Sequence, residues 1–296
     1  MYVKKITAFI LILSFIFLFA CSKGDEDNTV EIIQQPEKTN DFNIVYKTVN
    51  NIELKMDIYY PVNKKYEKSP LIVAFYGGGW ISGDKTQIAY IFAPIITELL
   101  ENGYTVAMPQ YRYAEESSYF PAQIDDCEEA IEYLKNYAEK YNIDADSIGV
   151  MGYSAGAQLA MLASYSSDLN IKYCLSFAGP TKMYGEELHE YSLNTLMLIE
   201  NLFNGTYEEK KDDYETGSPY YYLDCNASSK TPLFLVHDES DHIVPFSQSQ
   251  IMYDKALEAG IECELLKLNG FYHQIEFDYS HSEIINTILD FIYKYS

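Results

Sequence analysis

Positive charge is scarce in this chain. Its 296 residues hold 21 Lys and Arg against 44 Asp and Glu, a formal net charge of −23 at pH 7. So acidic a body repels nucleic acid and anionic lipid head groups, and no nucleic-acid partner is expected. Cysteine is scarce too, with five residues, no C-x-x-C pair and no metal-ligand spacing. Neither a G-K-[ST] phosphate loop nor the dinucleotide pattern G-x-G-x-x-G occurs, so nucleotide binding is a poor reading. No internal repeat is visible. The apolar run Ile6–Ala20 has fifteen residues, short for a membrane span.

That run suits the core of an export signal, because Lys4 and Lys5 precede it and no acid falls in the first twenty residues. It ends Leu18-Phe19-Ala20-Cys21, which resembles a bacterial lipoprotein cleavage site. The expectation is a signal peptide over 1–20, with lipid on Cys21 anchoring an exported protein to the bacterial membrane. Residues 21–41 are too polar to bury a core and read as a flexible tether. Of the remaining cysteines, Cys127 and Cys174 lie in apolar patterns, as buried thiols do. A Cys225–Cys263 disulfide is compatible with export, but no spacing requires it.

From residue 42 to 296 the pattern is that of one α/β domain. Phe42–Val49 and Ile52–Tyr60 alternate polar and apolar residues around Asn50-Asn51, as a hairpin does. Leu71–Tyr76, Tyr104–Pro109, Ile148–Met151, Ile171–Phe177, Leu233–Val236 and Ile261–Leu268 read as buried strands. Helical periodicity separates them at Thr86–Leu100, Ala122–Tyr141, Ala155–Ser164, Gln248–Leu257 and Ser282–Tyr293. Strands alternating with helices predict a mainly parallel, eight-stranded sheet covered on both faces. Residues 179–231 interrupt the rhythm. They hold a helical stretch, Glu190–Leu202, and a tyrosine-rich loop, and they read as a cap insertion over a site.

Chemistry concentrates at Gly152-Tyr153-Ser154-Ala155-Gly156, between an apolar strand pattern and a helix of small residues. A serine on so sharp a turn is presented as a nucleophile, and the helix N-terminus behind it favours negative charge. A serine hydroxyl also needs a base, an acid to orient the base, and donors for an oxyanion. Tyr76-Gly77-Gly78-Gly79-Trp80 follows a buried strand, and its consecutive glycines let backbone N–H groups face a substrate without side-chain obstruction. Asp241 sits in a loop behind the strand ending at His237, with Asp238 and Glu239 as competitors. His237 reads as a support for that loop. Of five histidines, His273 directly follows the last strand, while His281 opens the last helix, and His273 gives the chain order Ser, Asp, His.

These residues together resemble the α/β-hydrolase carboxylesterases of the hormone-sensitive-lipase and type-B groups, especially bacterial feruloyl-esterase-like (BD-FAE) members. The shared segments are Tyr76–Trp80, Pro109–Glu115, Phe120–Gln123 with Asp125-Asp126, Gly152–Gly156, Ser218-Pro219, Asp241–Pro245 and His273. The resemblance implies Ser154 as nucleophile, His273 as base and Asp241 as its orienting acid. It also implies an oxyanion hole from Gly78, Gly79 and Ala155, and a framework pair of Arg112 with Asp125 or Asp126. Trp80, beside the oxyanion loop, is a candidate substrate-binding wall. Two departures stand out. Asp238 replaces the glycine usual in H-G-x-x-D, and Tyr272 replaces the second glycine of G-x-G-H. The expected activity is a cofactor-free serine carboxylesterase acting through an acyl-enzyme, with acetyl or feruloyl groups on glycans among its substrates. An arylformamidase-like amide hydrolase and a non-catalytic binding lipoprotein on a hydrolase scaffold are the alternatives.

Overall fold

The structure, a computed structural model, describes residues 40–223 and 229–296. The expected signal segment, Cys21 and nearly all of the tether lie outside the described residues. So does Cys225, and with it the Cys225–Cys263 pairing.

Strands β1 (Asp41–Val49) and β2 (Ile52–Tyr59) form the expected hairpin. Asn50 and Asn51 take φ of 50° and 64°, the left-handed pair that a tight turn between twisted strands requires. Then follow β3 (Ser69–Phe75), β4 (Thr105–Pro109), β5 (Ile143–Tyr153), β6 (Cys174–Phe177), β7 (Leu233–Asp238) and β8 (Cys263–Leu268). They make one eight-stranded sheet in the order β1-β2-β4-β3-β5-β6-β7-β8. Only the β1–β2 and β2–β4 pairings are antiparallel. Every residue of β3, β4 and β7 is buried, so both faces of the sheet are covered, and this is why those segments read as unbroken apolar runs.

The helices are α1 (Lys85–Ile91), α2 (Ala93–Glu101), α3 (Ala122–Asn136), α4 (Ala138–Tyr141), α5 (Ala155–Tyr165), α6 (Leu193–Phe203), α7 (Lys211–Thr216), α8 (Ser247–Glu258) and α9 (Ser282–Tyr295). The single helix expected over 86–100 is two. Pro94 has no N–H to donate to the Tyr90 carbonyl and its ring crowds that turn, so α1 stops at Ile91 and α2 starts afresh. The helix expected over 122–141 also breaks, at Tyr137, where ψ swings to 23°. Strand β5 begins five residues earlier than its apolar core, because the half-polar stretch from Ile143 pairs with Ser69 across a register shift. The predicted cap helix is α6, shifted by a few residues, with Ser192 as its N-cap accepting from Thr195 N–H.

Parallel strands have a common direction, and the sheet register keeps their C-terminal ends level. Phe75 pairs with Gly152, Tyr153 with Phe177, Phe177 with Val236 and Asp238 with Leu268. The loops that leave these ends therefore share one edge of the sheet, where open α/β sheets bind ligands.

Candidate active site

Ser154 joins β5 to α5 with φ 54° and ψ −119°, a strained conformation for a residue with a Cβ. Its two glycine neighbours are needed for space. A Cβ on Gly152 would lie 2.1 Å from the Gly156 carbonyl oxygen, and one on Gly156 would lie 2.3 Å from that of Phe75. Helix α5 thus sits almost on the backbone of β3 and β5. All of its residues are buried, which explains a sequence built from Ala, Gly, Leu and Met. Ala155 opens the helix, so its N–H has no acceptor one turn back.

The glycine loop leaves β3 beside that N–H. Gly78 and Gly79 have φ of 129° and 59°, and neither N–H bonds to the protein among the described residues. The Gly78 carbonyl is occupied instead, accepting from Ile81 N–H and Ser82 N–H. Three donors from two loops therefore stand free around the serine, an arrangement suited to charge that develops on a carbonyl oxygen.

Base and acid come from the last two strands. Ser154 Oγ lies 2.9 Å from His273 Nε2, and His273 Nδ1 lies 2.7 Å from Asp241 Oδ2. Asp241 Oδ1 accepts the N–H groups of Ile243 (2.8 Å) and Val244 (3.0 Å). Burial pushes the Asp241 carboxyl up. The hydrogen bonds from His237 and His273, the His273 charge and the Ile243 N–H outweigh burial and hold it well below the usual carboxylate range. A carboxylate that stays ionised orients the imidazole and can stabilise it once protonated.

Of the competing acids, Asp238 is buried and faces elsewhere. It accepts Ser240 N–H at 2.8 Å and Phe271 N–H at 2.7 Å, so it ties the acid loop to the base loop. This is the glycine position of the H-G-x-x-D pattern, and the backbone here keeps a negative φ. Glu239 faces Lys267 at 3.8 Å. Tyr272 does need the left-handed conformation of the glycine it replaces, with φ 54°. One support was not legible in the sequence. Tyr153 Oη donates to the His273 carbonyl at 2.6 Å, so the residue before the serine also anchors the base. The framework pair resolves to Arg112 and Asp126, at 2.8 Å, while Asp125 is exposed.

Helix α6 covers the glycine loop. A Cβ on Gly79 would meet Leu198 Cδ1 at 2.8 Å, and Thr195 Oγ1 donates to the Ile243 carbonyl of the acid loop at 3.0 Å. Between these elements lies a cavity of about 650 Å³ with Ser154 and His273 in its wall. Trp80 lines it, although its indole N–H is already spent on Gln158 Oε1 at 3.0 Å. Its wall includes apolar side chains from α6 (Leu198, Ile199) and the acid loop (Val244), and polar ones from α1 (Gln87) and the residues after His273 (Gln274, Glu276).

The chain is similar to known proteins. The BD-FAE family model matches residues 56–256. Esterase LipQ of Mycobacterium tuberculosis is 26% identical over 206 residues, which are 65% of this chain and 47% of LipQ. The chain spans about half the length of the curated relatives it matches first. Among solved structures, Thermogutta terrifontis esterase 2 phosphoramylated by tabun superimposes with a TM-score of 0.70 at 23% identity, covering 86% of this chain and 94% of that one. A truncated carbohydrate esterase from gut microbiota does so with a TM-score of 0.70 at 23% identity, covering 87% and 96%. At such identities the structural likeness carries the fold. The family match spans both the glycine loop and the serine turn, and the chain belongs to the BD-FAE family, with the α/β-hydrolase fold.

Proposed function

We propose that the protein is a serine carboxylesterase. The observation that carries this reading is the unbroken hydrogen-bond path Ser154 Oγ, His273 Nε2, His273 Nδ1, Asp241 Oδ2, beside free N–H groups at Gly78, Gly79 and Ala155. In this mechanism His273 takes the Ser154 proton as Oγ attacks the ester carbonyl. The oxyanion sits among the three N–H groups, and His273 then gives its proton to the departing alcohol. The acyl-enzyme so formed is hydrolysed by water activated on the same imidazole. Replacing Ser154 with Ala should lower hydrolysis of p-nitrophenyl acetate by several orders of magnitude and abolish labelling by a fluorophosphonate. Unchanged turnover in S154A, in protein that melts as wild type does, refutes the assignment.

The cavity lining bears on the substrate. A volume of about 650 Å³ with apolar side chains in its wall suits a small to medium acyl group, and the polar Gln87, Gln274 and Glu276 suit a hydroxylated alcohol. Sugar esters carrying acetyl or feruloyl groups combine the two, and a carbohydrate esterase is among the proteins of similar fold. Acetylated xylan and methyl ferulate, assayed beside p-nitrophenyl acetate, test the substrate part. Turnover of the aryl ester alone removes the glycan reading and leaves the esterase. We also propose that the mature protein begins at Cys21 and is held to a membrane by lipid there. An unmodified Cys21 in the mass spectrum of the exported protein ends that proposal.

A further inference from the structure

Asp241 Oδ2 has two imidazole partners. Besides His273 Nδ1 at 2.7 Å, His237 Nε2 stands 3.1 Å away. His237 is fully buried at the end of β7. Its Nε2 also lies 2.9 Å from the Val244 carbonyl oxygen, so both neighbours of this nitrogen are acceptors and Nε2 must carry the hydrogen. The other nitrogen, Nδ1, is 2.7 Å from Ser249 Oγ. That hydroxyl, buried at the start of α8, has no other partner among the described residues and donates to Nδ1. One tautomer satisfies all of these contacts.

From this geometry we infer that His237 is a positioning residue for the reaction, a fixed second donor to the carboxylate on which His273 depends. This inference rests on the esterase reading above. With His237 in place, all four acceptor directions of Asp241 are filled: Ile243 N–H and Val244 N–H on Oδ1, His273 and His237 on Oδ2. The carboxylate can neither rotate nor accept a proton. Because Oδ2 divides its charge between two imidazoles, it pulls on His273 less than an unshared oxygen would. Other titratable groups surround the pair. Tyr153 from β5 holds the His273 carbonyl, and Glu276 lies in the chain just beyond the base. Tyr191, just ahead of α6, feels the Asp241 charge, and Asp238 grips the base loop through Phe271 N–H. None of these donates to Asp241, so none replaces His237.

The test is the pH dependence of kcat/KM for p-nitrophenyl acetate, with melting temperature and fluorophosphonate labelling measured alongside. His237→Phe removes the donor and keeps a ring. Its acidic limb, where the base loses its proton, should move to higher pH by about half a unit or more, and kcat should fall about tenfold with KM little changed. His237→Gln presents an N–H near the position of Nε2 and should return the limb toward wild type. Should H237F fail to fold, Ser249→Ala supplies the second measurement. It removes the hydrogen bond at Nδ1 that holds the ring and strengthens Nε2–H as a donor, and it should move the limb the same way by a smaller amount. Folded H237F with the limb at its wild-type position, or moved to lower pH, overturns the inference, as does a limb that H237Q leaves where H237F put it. Wild-type protein that fluorophosphonate does not label refutes the esterase reading itself. Labelled wild type with an immobile limb refutes only the role of His237.

Discussion

Asp126→Asn should be the costliest single-atom exchange away from the serine, and the structure gives its size. Asp126 is on α3 with its side chain wholly buried. Oδ2 accepts from Arg112 Nε at 2.8 Å and Arg112 N–H at 2.9 Å, and Oδ1 accepts from Arg112 Nη2 at 2.8 Å. Lys47 Nζ, from the edge hairpin, comes within 2.7 Å of the same Oδ1. One carboxylate thus bridges two cations, Lys47 being shared with Glu129 at 2.6 Å, and joins β1, α3 and the loop after β4. The preceding residue, Tyr111, stacks on Tyr76 at 4.4 Å and donates to its carbonyl at 2.8 Å, which links this knot to the start of the glycine loop. Asparagine keeps the volume but removes the charge and turns one acceptor into a donor that faces donors. Breaking a buried pair costs about 3–5 kcal/mol. The Arg112 and Lys47 side chains retain 13% and 12% exposure, so water relieves part of the loss and the lower end, about 3 kcal/mol, is expected. For a domain of this size that is a fall in Tm of about 6–12 °C. Thermal and urea unfolding followed by circular dichroism measures it. The neighbouring Asp125→Asn, on the exposed side of α3, is the control and should stay within about 0.5 kcal/mol of wild type. A D126N loss below about 1 kcal/mol, or a D125N loss as large, refutes the reasoning.

Two further outcomes follow from the same geometry. Because the Asp241 carboxyl is depressed in the folded protein, it adds stability above the ordinary carboxylate pKa of about 4, and this is lost as pH falls through the folded value. Asp241→Asn should therefore unfold in less urea than wild type at pH 7, with the gap narrowing as the pH is lowered toward 2; a gap that stays constant contradicts the assigned shift. Glycine replacements should separate space from backbone angle. Gly156→Ala drives a Cβ against the Phe75 and Tyr76 carbonyls at 2.3 and 2.4 Å and should cost several kcal/mol along with activity. Gly260→Ala meets nothing within 4 Å and should cost only the left-handed φ of 71°, about 1 kcal/mol, with activity intact. Equal melting temperatures for the two variants would falsify this account of the serine turn.

The local chemistry of this protein is written in short segments, and those are what the sequence determined by itself. Buried strands announce themselves because a strand covered on both faces must be apolar throughout, as Leu71–Phe75 is. The serine turn is legible because only glycine fits where α5 approaches the strands at Gly152 and Gly156. The hairpin is legible because Asn50-Asn51 accepts positive φ. Where several residues of one type stand close in the chain, spacing does not choose among them. Asp238, Glu239 and Asp241 lie within four residues, and only the place behind the strand and the resemblance to H-G-x-x-D favoured Asp241; Asp125 and Asp126 stayed equivalent. The tertiary structure separated them by direction: Asp241 turns to His273, Asp238 to Phe271 N–H, Asp126 to Arg112 and Asp125 to water. His237 and Asp241 are only four residues apart, and the turn after β7, not the spacing, aims the imidazole at the carboxylate. The donor from Tyr153 to the base joins residues 120 apart in the chain. It is fixed by the register of parallel strands, and pairings over such separations leave no periodic trace in either segment.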